Sequence, residues 1–151
     1  MKKIKLSWKE FGDALEKLKK MIIDSGIKYK YVYGIPRGGV AIASYLSHHL
    51  NLIYIDSPKP YSVTKDLLIV DDKDLLIVDD IADTGNTLCD FAKYNIATIY
   101  KSNWTKIIPE FSVLKKEDKN SWIIFPWENK ESEGGISDKM EKQTKITEWL
   151  K

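Results

Sequence analysis

The chain has 151 residues, of which 43% are hydrophobic and 30% are charged. This composition excludes a disordered chain and predicts a single domain over residues 1–151. The net charge of +2 does not favour a nucleic-acid-binding protein. No apolar run approaches the ~20 residues of a membrane span, and the first residues, MKKIKLSWKEF, lack the apolar stretch of a secretion signal. We therefore expect a cytoplasmic protein with no membrane partner.

The first predicted element is an amphipathic helix. Ser7 and Glu10 have the spacing of a capping box, in which the serine caps the helix and the glutamate reaches back to it. Apolar residues spaced by three and four then form one stripe, which we expect to be buried: Trp8, Phe11, Leu15, Leu18 and Ile22. Gly26 is predicted to end this helix.

Strands and helices alternate along the rest of the chain. Strands are predicted at residues 29–35, 51–56, 75–80, 96–101, 111–114 and 122–125. Helices are predicted at residues 40–50, 87–94 and 138–150, the last within a tail that starts at residue 129. This alternation predicts an α/β fold with a central, mainly parallel sheet flanked by helices.

One octapeptide is present twice. Residues 65–72, KDLLIVDD, are repeated without change as residues 73–80, and only the second copy continues into IADTGNT. Two copies do not make a solenoid, which needs three or more repeats. We expect the first copy to add an antiparallel strand at the sheet edge beside residues 51–56, because its four consecutive apolar residues would otherwise be exposed. Dimer contacts could cover them instead.

The first loop with a composition suited to ligand binding is IPRGG, residues 35–39. Ligands of open α/β sheets bind beyond the carboxyl ends of the strands. Paired glycines let the backbone approach an anion closely, and Arg37 can bind phosphate oxygens through two parallel hydrogen bonds. Arg37 is the only arginine among 24 basic residues, as expected if a planar guanidinium is needed there. A plain strand-to-helix turn would explain this motif equally well.

The second such loop is DDIADTGNT, residues 79–87. The adjacent carboxylates of Asp79 and Asp80 would repel each other in a dry core, but they suit ribose hydroxyls or a hydrated Mg²⁺. The four residues that follow Asp83 offer hydroxyls and successive amides at a helix start, which suits a phosphate group. The alternative is that these carboxylates are simply solvated in a turn.

These motifs resemble those of a known family. VDDIADTGNT resembles the phosphoribosyl-pyrophosphate (PRPP) signature of type I phosphoribosyltransferases, and GIPRGGV resembles their pyrophosphate loop. SWIIFPWE (residues 121–128) and SWKEF resemble segments of the xanthine–guanine enzymes. Over residues 7–128 the resemblance implies the type I fold, with a small hood and an antiparallel edge hairpin. It implies transfer of the 5-phosphoribosyl group of PRPP to guanine, xanthine or hypoxanthine, with release of pyrophosphate, in purine salvage.

The resemblance also implies how PRPP is bound. Arg37 and Gly38 hold pyrophosphate through an unusual backbone geometry, while Asp79 and Asp80 bind the ribose hydroxyls, with Asp80 near the Mg²⁺ cofactor. The 5-phosphate is held by Thr84, Gly85, Asn86 and Thr87. The duplicated aspartates, Asp71 and Asp72, are not followed by such a loop. We therefore predict that they take no part in substrate binding or catalysis.

On the purine side, the resemblance implies that Asp83 is the acid/base facing N7. Lys101 contacts the 6-oxo group, Trp122 stacks on the purine, and Ile123 presents backbone groups to its edge. A lysine donor favours a 6-oxo group, because the amino group of adenine would face a second donor.

Two alternatives keep the same fold. The chain could be a PRPP- or nucleotide-sensing regulator without turnover, although such a protein is expected to carry a nucleic-acid-binding element that is not evident, and a sensor does not need Asp83. It could also be a transferase for another base, with Trp122 and Lys101 serving only as structure. Related enzymes commonly form dimers or tetramers, so we expect a homodimer or homotetramer.

Overall fold

The structure is a computed structural model and describes residues 1–58 and 70–128. The predicted C-terminal helix (residues 138–150) and most of the first octapeptide copy lie outside the described residues. The antiparallel strand predicted for that copy therefore stays a prediction. None of the helices in the described ranges is long and apolar enough to cross a membrane.

The first helix, α1 (Trp8–Asp24), begins at the predicted capping box. The Glu10 amide donates to Ser7 Oγ at 3.2 Å, and the Ser7 amide donates to Glu10 Oε2 at 2.8 Å. The buried stripe contains Phe11, Ala14, Leu15, Leu18 and Ile22. The prediction that Trp8 is buried was wrong, since its side chain is 65% exposed. Trp8 lies in the first turn of the helix, where it meets the edge of the Phe11 ring.

The central sheet has five parallel strands, in the order β3-β2-β4-β5-β6. Its strands are β2 (Tyr31–Gly34), β3 (Ile53–Tyr54), β4 (Leu75–Ala82), β5 (Asn95–Ser102) and β6 (Phe111–Lys116). The sheet confirms the predicted α/β fold. The middle strand, β4, starts with four apolar residues that are at most 1% exposed, as expected for a strand that is covered on both faces.

A second helix, α2 (Gly38–Leu50), follows β2 directly. It packs on β2 and β4 through Ile42, Ala43 and Leu46, which are fully buried. The helix begins two residues before the predicted residue 40, so the paired glycines lie in its first turn. Asn51 ends it in the left-handed conformation (φ 54°), which asparagine tolerates better than most residues.

The two ends of the described chain form a small separate sheet. β1 (Lys2–Lys5) pairs in parallel with β7 (Ser121–Ile124), so that Lys3 lies opposite Trp122 and Ile4 opposite Ile123. This pair corresponds to the predicted hood. The strand at residues 2–5 was not predicted, because its lysines carry no apolar alternation and its partner is far along the chain. The helix predicted at residues 87–94 is a short 3₁₀ helix, Thr87–Phe91.

Candidate active site

A cavity of about 550 Å³ opens at the carboxyl ends of β2 and β4. This is the edge at which parallel α/β sheets bind ligands, and the volume suits a small molecule. All of the predicted site residues except Lys101 and Ile123 line it. Trp127 and Glu128, which were not assigned a role from the sequence, line it as well.

The IPRGG loop packs tightly on the end of β4. The Gly39 amide donates to the Ile35 carbonyl at 2.9 Å, and the peptide bond between Pro36 and Arg37 is cis. A Cβ atom on Gly38 would overlap the carboxylate of Asp80, and one on Gly39 would overlap the backbone carbonyl of Val78. Position 39 therefore requires glycine, because its neighbour is backbone, whereas a side chain at position 38 would displace the Asp80 carboxylate. The loop places Arg37 at the cavity wall.

The carboxylates of Asp79 and Asp80 lie side by side at the end of β4. Asp79 is 8% exposed, and its Oδ1 accepts a hydrogen bond from the Asp80 amide at 2.9 Å. Burial raises the pKa of both carboxyl groups, and the charge of Asp80 raises the pKa of Asp79 further. Within the described ranges neither carboxylate forms an ion pair. In the described part of the chain, no ammonium or guanidinium therefore pairs with these two carboxylates.

This carboxylate pair fits a hydrated Mg²⁺. The ion prefers oxygen ligands and is usually held by one or two carboxylates together with substrate phosphates and water. No cluster of three or more His, Cys, Asp or Glu side chains that could hold a metal alone is found in the described part of the chain. Any Mg²⁺ at this site must therefore take most of its ligands from substrate and water.

The loop Thr84–Thr87 folds back on residues 105–107. The Lys106 amide donates to the Thr84 carbonyl at 3.0 Å, and the Asn86 amide donates to Thr84 Oγ1 at 3.3 Å. Gly85 has a φ of +83°, and a Cβ atom there would lie 2.9 Å from the Ile107 amide nitrogen. The positive φ and the close backbone together require glycine. Residues 105–107 thus support the loop Thr84–Thr87, a contact that the sequence did not reveal.

Asp83 is held from three directions. Its Oδ2 lies 2.8 Å from Lys116 Nζ, its Oδ1 accepts from Trp104 Nε1 at 2.9 Å, and its backbone carbonyl accepts from Ser102 Oγ at 2.5 Å. The Lys116 side chain is 4% exposed, whereas that of Asp83 is 37% exposed and lines the cavity. Lys116 was missed from the sequence because 33 residues separate it from Asp83 and no local motif links them.

The hood supplies the aromatic side of the cavity. Trp122 lines it and is 44% exposed, whereas its neighbour Ile123 is 6% exposed. Trp127 stacks on Phe125, with ring centroids 4.9 Å apart, so it belongs partly to the core. Lys101 is half-buried on β5, and the structure places it outside the cavity lining.

The duplicated aspartates lie at the other end of β4. Asp71 Oδ1 accepts from the Lys73 amide at 3.0 Å, and Asp72 pairs with Lys93 at 3.0 Å. Neither residue lines the cavity. Asp71 and Asp72 therefore precede the strand whose far end carries Asp79 and Asp80.

Comparison with known proteins agrees with this geometry. Residues 6–100 match the family described as Phosphoribosyl transferase domain. The chain belongs to the phosphoribosyltransferase family. The sequence motifs predicted this membership, and the protein is accordingly an enzyme of phosphoribosyl transfer.

This phosphoribosyltransferase is similar to purine enzymes in particular. It is 29% identical over 140 residues to a xanthine-guanine phosphoribosyltransferase of Idiomarina loihiensis, covering 82% of this chain and 85% of that protein. It is 30% identical to the purine phosphoribosyltransferase of Pyrococcus horikoshii, with a TM-score of 0.67 over 85% of this chain and 95% of the other. The Helicobacter pylori xanthine-guanine-hypoxanthine enzyme shares the fold at 21% identity, with a TM-score of 0.63 over 93% and 99% of the two chains. These similarities place the protein among the purine phosphoribosyltransferases.

Proposed function

We propose that this enzyme transfers the 5-phosphoribosyl group of PRPP to a 6-oxopurine, with Mg²⁺ as cofactor, and releases pyrophosphate in purine salvage. The observation that carries the proposal is the meeting of three features in one cavity. These are the Asp79–Asp80 carboxylate pair, the phosphate loop Thr84–Thr87, and the half-exposed ring of Trp122. The similarity to a xanthine-guanine enzyme favours a 6-oxopurine as the base.

The cavity offers a group for each part of PRPP. Arg37 and Gly38 would bind the pyrophosphate, since a guanidinium and a bare backbone both suit phosphate oxygens. The carboxylates of Asp79 and Asp80 would accept hydrogen bonds from the ribose hydroxyls. The 5-phosphate would be held by Thr84, Gly85, Asn86 and Thr87. Bound Mg²⁺, near Asp80, would supply positive charge to the phosphates and to the Asp79–Asp80 carboxylate pair.

In the reaction, a purine nitrogen forms a bond to the anomeric carbon of the ribose while the bond from that carbon to pyrophosphate breaks. Positive charge develops on the ribose during this exchange, and the nearby carboxylates of Asp79 and Asp80 would stabilise it. Asp83 would accept the proton that the purine loses from N7. The remaining contribution is orientation, because PRPP and the base must be held in line.

The base is proposed to stack on Trp122, with Ile123 presenting backbone groups to its edge. The contact between Lys101 and the 6-oxo group remains a prediction, since Lys101 lies outside the cavity lining. Replacing Lys101 with methionine should raise the KM for the purine if this contact forms. An unchanged KM would remove Lys101 from the base site.

A base panel tests the proposed substrate class. The protein is incubated with PRPP, Mg²⁺ and guanine, xanthine, hypoxanthine or adenine, and nucleotide and pyrophosphate are measured. We expect turnover with one or more of the three 6-oxopurines and at least about 100-fold less with adenine, because an unpaired buried donor is strongly penalised. Turnover confined to adenine or to another base would refute the 6-oxopurine assignment.

We further propose that the enzyme is a cytoplasmic homodimer or homotetramer. Size-exclusion chromatography with light scattering would measure the number of subunits.

A further inference from the structure

The buried side chain of Lys116 has no role in the reaction proposed above. Its ammonium lies beneath Asp83, 2.8 Å from Oδ2, and it comes from the strand next to the one that carries Lys101. In the sheet register, Lys116 lies opposite Ser102, while Lys101 lies opposite Lys115. Lys116 and Ser102 therefore face the same side of the sheet, where both reach Asp83.

The burial of Lys116 is the first argument for a role. An ammonium that is removed from water is strongly unfavourable unless it is paired. Lys116 is 4% exposed and its partner, Asp83, is 37% exposed and lines the cavity. The pair is thus asymmetric: a fixed, buried cation supports an anion that is open to the substrate.

The second argument is the direction in which Asp83 is held. Lys116 binds one carboxylate oxygen, Trp104 donates to the other, and Ser102 fixes the backbone carbonyl. Three donors from β5, β6 and the segment between them set the position of a single side chain. Within the described ranges the Asp83 carboxylate has one ion pair, the one with Lys116.

We propose that Lys116 is a positioning residue for the proton transfer, which holds the Asp83 carboxylate oriented toward the purine. This inference rests on the proposed role of Asp83 as the acid/base of the reaction. Lys116 does not line the cavity, so it acts through Asp83 and does not touch the substrate.

Other charged groups lie beside Trp104 or along the cavity. The Lys119 ammonium lies 5.5 Å from the centre of the Trp104 ring. The remaining groups line the same cavity as Asp83: Arg37, Asp79, Asp80 and Glu128. Because these groups are unchanged in a Lys116 variant, a difference in kcat between the two proteins reports on Lys116.

The first experiment compares Lys116→Met with Lys115→Met. Both changes remove one positive charge from β6, but Lys115 is exposed and has no place in the site. We expect Lys116→Met to lower kcat by about 10-fold or more and to leave the KM for PRPP unchanged. Lys115→Met should match the wild type in both. A purely structural Lys116 would lower the melting temperature without a selective loss of kcat, and that result would overturn the proposal.

The second experiment is a double-mutant cycle, which remains informative if Lys116→Met alone does not fold. Asp83→Asn combined with Lys116→Met leaves no unpaired charge, and its rate is compared with that of Asp83→Asn. If Lys116 acts through Asp83, the second change has no further effect on the rate of the Asp83→Asn enzyme. An additional loss of 10-fold would show an independent role and refute the proposal.

The cycle is run with whichever base the wild-type enzyme accepts. If that base is not a 6-oxopurine, only the proposed 6-oxopurine function is contradicted. The cycle still decides whether Lys116 acts through Asp83.

Discussion

Gly38 lies directly against the carboxylate of Asp80, so closely that a single added methyl group would overlap it. This contact joins the two loops that the sequence singled out, the first of which contains Arg37 and the second Asp79 and Asp80. The loop that would bind pyrophosphate thus forms one wall for the carboxylates that would bind the ribose. The neighbouring Gly39 makes a different contact, because it approaches the backbone carbonyl of Val78.

The two glycines should therefore respond differently to alanine. Gly38→Ala should keep the fold but push the Asp80 carboxylate aside, raising the Kd for PRPP with Mg²⁺ by about 10-fold, or about 1.4 kcal/mol. Gly39→Ala meets backbone and should lower the free energy of unfolding by about 1–3 kcal/mol. Alanine is a better helix former than glycine by about 1 kcal/mol. Any loss in the free energy of unfolding must therefore come from overlap between the added methyl group and its neighbours. Titration calorimetry and urea unfolding measure the two effects, and equal results for both variants would contradict this account.

Replacing Asp79 with asparagine should stabilise the ligand-free protein and abolish PRPP binding. Burial and the charge of Asp80 raise the pKa of Asp79 from its ordinary value of 3.8, so the folded protein holds this proton more tightly than the unfolded chain. The free energy of unfolding therefore decreases as the pH rises above 3.8, and it levels off above the raised pKa. Asparagine removes this dependence.

Urea unfolding of the wild type and Asp79→Asn at a series of pH values, without Mg²⁺, checks this prediction. The variant should be the more stable protein near neutral pH, and the difference should shrink in acid. Added PRPP and Mg²⁺ should stabilise the wild type alone, because ligands that bind the folded state shift unfolding by mass action. If Asp79→Asn were less stable than the wild type at neutral pH, that result would contradict the account in which burial and the charge of Asp80 disfavour the Asp79 carboxylate.

The duplicated octapeptide provides a matched pair of variants. Asp72 and Asp80 are the last residues of identical copies, but Asp72 pairs with Lys93 on the surface while Asp80 lines the cavity. Asp80→Asn should reduce kcat/KM for PRPP by about 100-fold or more, as expected for a group that stabilises developing charge. Asp72→Asn should leave the kinetics unchanged and cost at most about 1 kcal/mol of stability. Steady-state kinetics that fall equally in both variants would show that the first copy contributes to the site.

Trp122 and Trp8 offer a second matched pair. Trp122 is 44% exposed and Trp8 is 65% exposed, but Trp122 lines the proposed active site while Trp8 lines a separate groove with Lys3 and Lys5. Trp122→Ala should raise the KM for the purine by about 10-fold, because stacking on an aromatic ring contributes about 1–3 kcal/mol per base. Its Kd for PRPP should not change, and Trp8→Ala should retain wild-type KM values. A purine KM that is unaffected by Trp122→Ala would remove this residue from the base site.

The sequence by itself determined the elements that depend on neighbouring residues. The capping box of Ser7 and Glu10 fixed the start of α1, the apolar run before Asp79 predicted the buried middle strand, and Gly38 and Gly39 marked the end of β2. These signals are local, because caps, periodicity and strand breaks act over a few residues. The candidate phosphate loop, residues 84–87, was predicted in the same way, as one uninterrupted run after β4.

Only the tertiary structure decided which distant residues meet. Two of these meetings depend on sheet register: the pairing of β1 with β7 and the placement of Lys116 beneath Asp83. The support of Gly85 by residues 105–107 depends on how the loop between β5 and β6 folds back. A shift of one residue in register turns a side chain to the opposite face, and nothing in the spacing of two lysines on adjacent strands reveals which one faces the site. The physical reason is that register is set by packing of the whole sheet, so the sequence predicted Asp83 as a site residue while the fold revealed its partner, Lys116.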